Sequence, residues 1–163
     1  MVLRRTLVRA APSFGRVTDS FAARLASLVE TSTNRDVCVR HGDDESHHPP
    51  VPPDIVAFPK STAEVQAVVK LCGEAKVPLI PFGAGTSLEG HITAPFGGVS
   101  LDLGKHMTAV LETHCEDMDA RVEAGCTRLS LNRSLHQTVL QPLTRMPNHK
   151  SCLLLTRIPI VLV

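Results

Sequence analysis

The clearest pattern of apolar and polar positions lies between residues 55 and 82. Ile55–Phe58 and Val77–Phe82 are short apolar runs that predict two buried strands. Between them, Ser61-Thr62-Ala63-Glu64 has the spacing of a capping box, in which each side chain satisfies a backbone N–H at a helix start. The order strand, helix, strand predicts a βαβ unit with parallel strands and a right-handed crossover. The predicted helix places these apolar residues on one face and has Gly73 as a candidate end: Val65, Val68, Val69 and Cys72.

Weaker patterns flank this unit on both sides. Upstream, a helix is predicted from a cap at Asp19 or Ser20 to about Thr31, and a short strand at 37–39. No internal repeat is visible. The downstream pattern predicts strands at 98–103, 108–112 and 120–124, a turn at Gly125, and a helix from a cap at Thr127 to about Leu140.

Residues 41–54 interrupt these patterns with a polar, proline-rich stretch. Four prolines fix φ and donate no N–H, so an extended linker or loop is predicted. His41, His47 and His48 with the neighbouring acids suggest a metal site. Nothing holds them at helical or strand spacing, however, and a solvated polar loop is the better interpretation.

Composition narrows the classes of function. Apolar residues make up 43% of the 163 residues, enough for one modest domain with a packed core. The net charge is +1 and both Tyr and Trp are absent, which argues against a nucleic-acid partner. Five cysteines without a CxxC pair indicate reduced, mostly buried thiols and no metal spacing. No apolar run is long enough to span a membrane.

The first 17 residues have a composition of their own. Arg4, Arg5, Arg9 and Arg16 precede the first acid, Asp19, and alternate with apolar residues. An Arg-rich, acid-free start is typical of a mitochondrial transit segment, which we expect at 1–17. The alternative is a disordered basic N-terminus.

The most informative motif runs from Pro81 to His91, directly after a predicted strand. Its glycines permit sharp turns and close approach to a ligand, and successive N–H groups can form an anion-binding nest. A Rossmann fingerprint needs a third glycine where Leu88 stands, and a P-loop needs Lys where His91 stands. A loop that holds a pyrophosphate through backbone N–H groups and hydroxyls remains.

These residues carry a family resemblance. The motif at 81–91 resembles the pyrophosphate loop of vanillyl-alcohol oxidase-type flavoenzymes, which share the PCMH-type FAD-binding domain. Within that group the chain is most similar to FAD-dependent D-lactate dehydrogenases of the cytochrome-linked mitochondrial kind. The match covers about residues 36–140 and includes these segments in order: 52–59, 61–65, 97–103 and 116–125. The implied fold class is α+β, an α/β-like PCMH-type domain of which the chain carries the N-terminal portion.

The resemblance implies roles for particular residues. The cradle of the FAD pyrophosphate would include Thr86 and Ser87 as hydroxyl donors, with Gly90 and His91 at the flavin end of the loop. The implied cofactor-binding residues are Pro81, Gly83, Ala84, Gly85, Thr86, Ser87, Gly90, His91 and Gly125. The alternative is that the glycines only shape turns. No catalytic residue and no metal ligand is assigned.

The resemblance also implies a reaction and its partners. A D-2-hydroxy acid would be oxidised to the 2-oxo acid, with electrons passing to FAD and then to a cytochrome c-type acceptor. A related flavoenzyme acting on 2-hydroxyglutarate, glycolate or an alkylglycerone phosphate is one alternative. A non-catalytic nucleotide-binding or interaction module is another.

The family pattern stops near Leu140. The predicted organisation is therefore a leader at 1–17, a helix and linker at 18–50, a partial FAD-binding domain at 51–140 and a divergent tail at 141–163. We expect a truncated product that lacks the cap and catalytic regions, retains flavin weakly or not at all, and shows little turnover by itself.

Overall fold

Two sheets and four helices organise the part of the chain that the structure describes. The structure is a computed structural model, and it describes residues 13–114, 117, 119–135 and 160–162, the last three by their backbone. The α+β class predicted from the sequence is confirmed. The elements are α1 (Asp19–Leu28), β1 (Glu30–Ser32), α2 (Arg35–Arg40), β2 (Ile55–Phe58), α3 (Thr62–Ala75), β3 (Leu79–Phe82), β4 (Val99–Asp102), β5 (Val110–His114), β6 (Asp119–Val122), α4 (Arg128–Leu135) and β7 (Ile160–Leu162).

The first sheet has the strand order β1-β2-β4-β3. β4 pairs in parallel with both β2 and β3, so the predicted parallel relation of β2 and β3 is confirmed, with β4 inserted between them. All four residues of β4 are buried, as expected of a central strand. The carboxyl ends of the three parallel strands therefore meet at one edge of the sheet, the edge at which open α/β sheets bind ligands.

One face of this sheet carries the main hydrophobic core. α1 and α3 pack on it, and Leu25, Val68 and Val99 have no exposed surface. Val69, expected on the buried face of α3, is 49% exposed, and Leu71 is buried in its place at 4%. The opposite face is more polar, since Ser100 and Asp102 alternate with the core residues along β4.

The helix ends differ from the sequence prediction in three places. The N-cap of α1 is Thr18, whose Oγ1 accepts a hydrogen bond from Phe21 N–H at 3.3 Å, rather than Asp19 or Ser20. α1 ends at Leu28, because the residues that follow pair antiparallel with β2 as edge strand β1. Gly73 does not end α3, which continues to Ala75 and stops at Lys76 in a left-handed conformation with φ of 54°.

The capping box of α3 is confirmed with one shift. Ser61 Oγ accepts a hydrogen bond from Glu64 N–H at 3.3 Å. The Glu64 carboxylate accepts from Lys60 N–H at 2.8 Å, one residue before the N-cap. Both bonds satisfy backbone donors at the helix start, so the motif fixes where α3 begins.

The strand predicted at 37–39 is wrong, since these residues belong to α2. Asn34 caps this helix through its side-chain oxygen, which accepts from Asp36 N–H at 2.8 Å. The β-branched valines favour a strand, but a side-chain cap and burial of Cys38 against β2 determine the outcome.

The second sheet contains an antiparallel hairpin of β5 and β6, and β7 pairs with β6 in parallel. Strands were predicted at 108–112 and 120–124, and both exist with bounds shifted by one or two residues. α4 packs on this sheet through Leu131 and Leu135. Thr127 Oγ1 accepts from Ser130 N–H at 3.2 Å, as the cap prediction requires, while residues 136–140 of the predicted helix lie outside the described residues.

The expected leader lies partly outside the described residues, which begin at residue 13. Gly15 N–H donates to Lys76 C=O at 2.9 Å, and Val17 packs against the main core. Removal after residue 17 would therefore take away contacts with the first sheet. Within the described part of the chain, no helix is long and apolar enough to cross a membrane.

Candidate functional site

The candidate site is the phosphate loop, residues 83–91, which leaves the carboxyl end of β3. Gly85 and Gly90 have φ of 70° and 71°, in the left-handed region that side chains other than glycine rarely adopt. A Cβ at Gly85 would lie 3.2 Å from the Phe82 ring. The loop conformation thus depends on glycine at these two positions.

The first half of the loop presents unused hydrogen-bond donors. The backbone N–H groups of Ala84, Gly85 and Thr86 make no hydrogen bond to any other described residue, and neither does the Thr86 hydroxyl. All three residues are only half-buried, so these donors are within reach of a ligand. Three successive N–H groups around a left-handed glycine form a nest, which suits the oxygens of a phosphate. The residues present therefore fit the pyrophosphate of FAD.

The second half of the loop is closed by Ser87. Its Oγ accepts from Glu89 N–H at 3.2 Å and from His91 N–H at 3.3 Å, and it lies 2.9 Å from His91 Nδ1. The Ser87 hydroxyl is thus engaged within the loop, and its predicted donation to pyrophosphate stays a prediction.

The proline-rich segment packs against this second half. Glu45 N–H donates to Ser87 C=O at 3.2 Å, and the His48 ring lies 2.8 Å from where a Cβ of Gly90 would stand. The pKa of Asp44 is lowered, first by a hydrogen bond from the Ser46 hydroxyl and less by Ser87 and the Gly90 N–H. The Asp44 carboxylate thus lies close to residues 87–90.

The root of the loop is held by the turn that follows β4. Leu103 N–H donates to Phe82 C=O at 3.0 Å, and a Cβ at Gly104 would lie 2.8 Å from Gly83 C=O. Gly125 is buried against this turn, since a Cβ there would lie 2.1 Å from Leu103 C=O. Gly125 therefore allows the second sheet to approach the first, and its predicted part in lining the cofactor stays a prediction.

The structure brings eight of the nine predicted residues together in one loop and its entry. Pro81 lies exposed in β3 opposite Leu101, and His91 lies exposed at the far end of the loop. Gly125 lies outside this group: it packs against Leu103 C=O, in the turn whose Gly104 packs against Gly83 C=O.

One feature near the loop was not predicted from the sequence. His41, expected in a solvated polar loop, is buried, with Nε2 at 3.0 Å from Asp102 Oδ2. The signal for Asp102 in the sequence was a carboxylate at the end of a short buried strand, and 61 residues separate it from its partner. Among the described residues, no group of three or more His, Cys, Asp or Glu side chains is arranged to hold a metal ion.

Comparison with known proteins identifies the family of the chain. The family described as "FAD binding domain" matches residues 53–148, more than half of the chain. A probable mitochondrial D-lactate dehydrogenase of Danio rerio is 44% identical over 132 residues, which are 81% of this chain and 25% of that protein. A mitochondrial D-lactate dehydrogenase (cytochrome) of Arabidopsis thaliana is 40% identical over 128 residues, 76% of this chain and 22% of that protein.

Solved structures show the same fold. An alkyldihydroxyacetonephosphate synthase superposes with a TM-score of 0.67 at 22% identity, over 78% of this chain and 26% of that one. The chain spans about a quarter of the length of the curated relatives that it matches. The resemblance to PCMH-type flavoenzymes is confirmed, and the chain belongs to the FAD binding domain family.

Proposed function

We propose that this chain is the pyrophosphate-binding part of a mitochondrial FAD-dependent D-lactate dehydrogenase. The observation that carries the proposal is the nest at Ala84, Gly85 and Thr86, whose N–H groups have no partner among the described residues. It lies at the carboxyl edge of the parallel sheet, where this class of fold binds its ligands.

The proposed substrate class rests on the names of two relatives. The relatives from Danio rerio and Arabidopsis thaliana are both named as D-lactate dehydrogenases. When bound, FAD supplies the electron sink for oxidation of a D-2-hydroxy acid to a 2-oxo acid. A cytochrome c-type protein would then take up the electrons.

In this proposal, the residues of the chain bind the pyrophosphate of FAD and orient the cofactor. The N–H groups at 84–86 and the Thr86 hydroxyl would hold the pyrophosphate oxygens without a cationic side chain. In the second half of the loop, the Glu89 and His91 N–H groups already donate to Ser87 Oγ. Placement of the pyrophosphate at 84–86 sets where the rest of the cofactor lies.

The mitochondrial location rests on two observations. The names of both relatives include that compartment. The N-terminal segment has four arginines before its first acid, as transit segments do.

A binding experiment tests the cofactor part of the proposal. The purified 163-residue chain is titrated with FAD while flavin fluorescence is followed, and inorganic pyrophosphate is added as a competitor. We expect reversible binding that pyrophosphate displaces and that Gly85→Val weakens about tenfold or more, because the substitution closes the nest. Failure of FAD to bind at any accessible concentration would contradict the proposal.

A genetic experiment tests the substrate and the location. Mitochondria from cells in which the gene is inactivated should lose D-lactate-dependent reduction of cytochrome c. Oxidation of glycolate and D-2-hydroxyglutarate should continue, and reintroduction of the wild-type gene, but not of its Gly85→Val form, should restore D-lactate oxidation. Loss of glycolate or D-2-hydroxyglutarate oxidation with D-lactate oxidation intact would assign the chain to another substrate.

A further inference from the structure

A buried histidine–aspartate pair lies directly beneath the phosphate loop. His41 follows α2 and Asp102 ends β4, and both side chains are about nine-tenths buried. His41 Nδ1 lies 2.8 Å from Val37 C=O, while Nε2 lies 3.0 Å from Asp102 Oδ2. His41 lies outside the range 53–148 matched by the FAD binding domain family.

Two hydrogen bonds fix the orientation of the His41 ring. A backbone carbonyl only accepts, so Nδ1 donates to Val37 C=O. Nε2 shares one proton with Asp102 Oδ2 across 3.0 Å. The ring is therefore held at both of its nitrogens.

The Phe82 side chain lies between the His41 ring and the nest. The centroid of the His41 ring lies 4.2 Å from that of the Phe82 ring. The same Phe82 ring stands 3.2 Å from the position that a Cβ of Gly85 would take. His41 therefore limits where Phe82 lies, and Phe82 limits where the nest lies.

Asp102 reaches the loop by a second route. Its Oδ1 accepts from Lys105 N–H at 3.1 Å, which shapes the turn after β4. Within that turn, Leu103 N–H donates to Phe82 C=O, and Gly104 lies against Gly83 C=O. The side chain of Phe82 is thus contacted by His41, and its backbone is held by the turn that Asp102 shapes.

We propose that His41 is a positioning residue for the cofactor, which fixes the root of the phosphate loop through Phe82 and Asp102. The proposal rests on the proposed function, because the nest is taken as the FAD pyrophosphate site. Loss of the imidazole would free the Phe82 ring and one oxygen of Asp102, and so loosen the loop. FAD affinity should therefore fall when His41 is replaced.

The other charged groups on the surrounding elements are few. Phe82 and Phe58 are the neighbours of His41 from β3 and β2, and neither is charged. Asp36 and Arg40 on α2 are exposed. Lys105 lies over the Phe58 ring and pairs with Glu30, which also contacts His106.

Two substitutions separate the ring from the hydrogen bonds. In Asp102→Asn, the amide can donate to His41 Nε2 and its oxygen can keep the bond from Lys105 N–H, so the loop stays held. His41→Phe keeps a ring against Phe82 but leaves Asp102 without the imidazole. His114→Gln, in the second sheet, is the matched control for the loss of a histidine.

The experiment uses the 163-residue chain at one pH. FAD affinity is measured by fluorescence titration, and exchange of the Leu103 N–H is measured by NMR without FAD. His41→Phe should lose about tenfold in affinity and in protection relative to the wild type. Asp102→Asn, which keeps both hydrogen bonds, and His114→Gln should stay within about threefold of the wild type.

Each outcome decides one question. A loss of tenfold or more in Asp102→Asn, whose amide keeps both hydrogen bonds, would overturn the positioning role, even if His41→Phe does not fold. Equal Leu103 protection in His41→Phe and wild type would also overturn it. Should the wild type bind no FAD while the exchange of the Leu103 N–H behaves as described, the proposed function fails and His41 remains the residue that positions the loop.

Discussion

At the scale of single residues, the phosphate loop depends on backbone conformation more than on charged side chains. The motif lacks the lysine of a P-loop, yet its first half presents three N–H groups that no other described residue uses. Gly85 makes this possible through its positive φ and its short approach to Phe82. A side chain at this position should therefore cost both stability and anion affinity.

The substitution Gly85→Ala tests this dependence. We expect the free energy of unfolding to fall by about 1–2 kcal/mol, because an L-residue pays this amount in the left-handed region. Gly73→Ala is the matched control, since Gly73 lies inside α3 with no atom within 4 Å of its Cβ position. The control should gain about 0.5–1 kcal/mol, and urea unfolding measures both. Equal effects of the two substitutions would contradict the conformational explanation.

A second prediction at the residue scale concerns His114 at the end of β5. Its Nδ1 contacts Asp119 Oδ1 at 2.5 Å, and this hydrogen bond, with smaller contributions from the charges of Asp119 and Glu112, raises the pKa of His114 above 6.5. Because the folded pKa is raised, the contribution to stability is complete below pH 6.5 and is lost as the pH rises through the folded value.

The substitution Asp119→Asn should move the pKa of His114 back toward 6.5, as measured by NMR titration of the imidazole protons. Glu112→Gln is the control, and its effect should be smaller because Glu112 acts through its charge alone. A pKa that stays raised in Asp119→Asn would show that another group holds the proton.

At the scale of secondary-structure elements, local signals predicted the βαβ unit well. β2, α3 and β3 appear where the apolar runs and the capping box place them, since those signals come from neighbouring residues. The strand predicted at 37–39 failed because an N-cap at Asn34 and packing against β2 outweighed β-branched composition. β1 was missed because an edge strand of three residues is formed by its partner rather than by its own pattern.

The Ser61 cap offers a test at this scale. Ser61→Ala should lower the free energy of unfolding by about 1 kcal/mol, because Glu64 N–H loses its acceptor at the start of α3. Ser27→Ala is the control: Ser27 is an exposed residue inside α1, and its change should lie within about 0.5 kcal/mol of zero. Urea unfolding followed by circular dichroism measures both, and equal losses would remove the special role of the cap.

At the scale of the whole molecule, the site is assembled from distant segments. The nest was predicted from the sequence because it lies in one continuous motif. The contacts of Asp44 with the loop, the burial of His41 and the packing of Gly125 on Leu103 were not, because each joins residues at least about 20 positions apart. A continuous motif indicates which backbone donors face a ligand. The side chains that hold those donors in place come from distant positions, so they are known only from the structure.

The thiols predicted to be buried can report on this assembly. Cys38, Cys72 and Cys126 are buried, and each lies in a different hydrophobic cluster of the described residues. Burial raises the pKa of all three, and that of Cys72 rises from 9.0 to about 11. The thiolate population of Cys72 at a given pH near neutrality is therefore about a hundredfold lower than that of a thiol with the unshifted value.

Alkylation with iodoacetamide at about pH 8, followed by peptide mass spectrometry, reads each thiol separately. In the native chain all three should react far more slowly than in urea. As urea increases, Cys126 should become reactive first, because its cluster is smaller than the one around Cys72 and a smaller core opens at lower cost. Cys38 and Cys72 should follow together, since they pack on opposite faces of one sheet. A single midpoint for all three thiols would show instead that the two sheets unfold as one cooperative unit, and native reactivity equal to that in urea would contradict their burial.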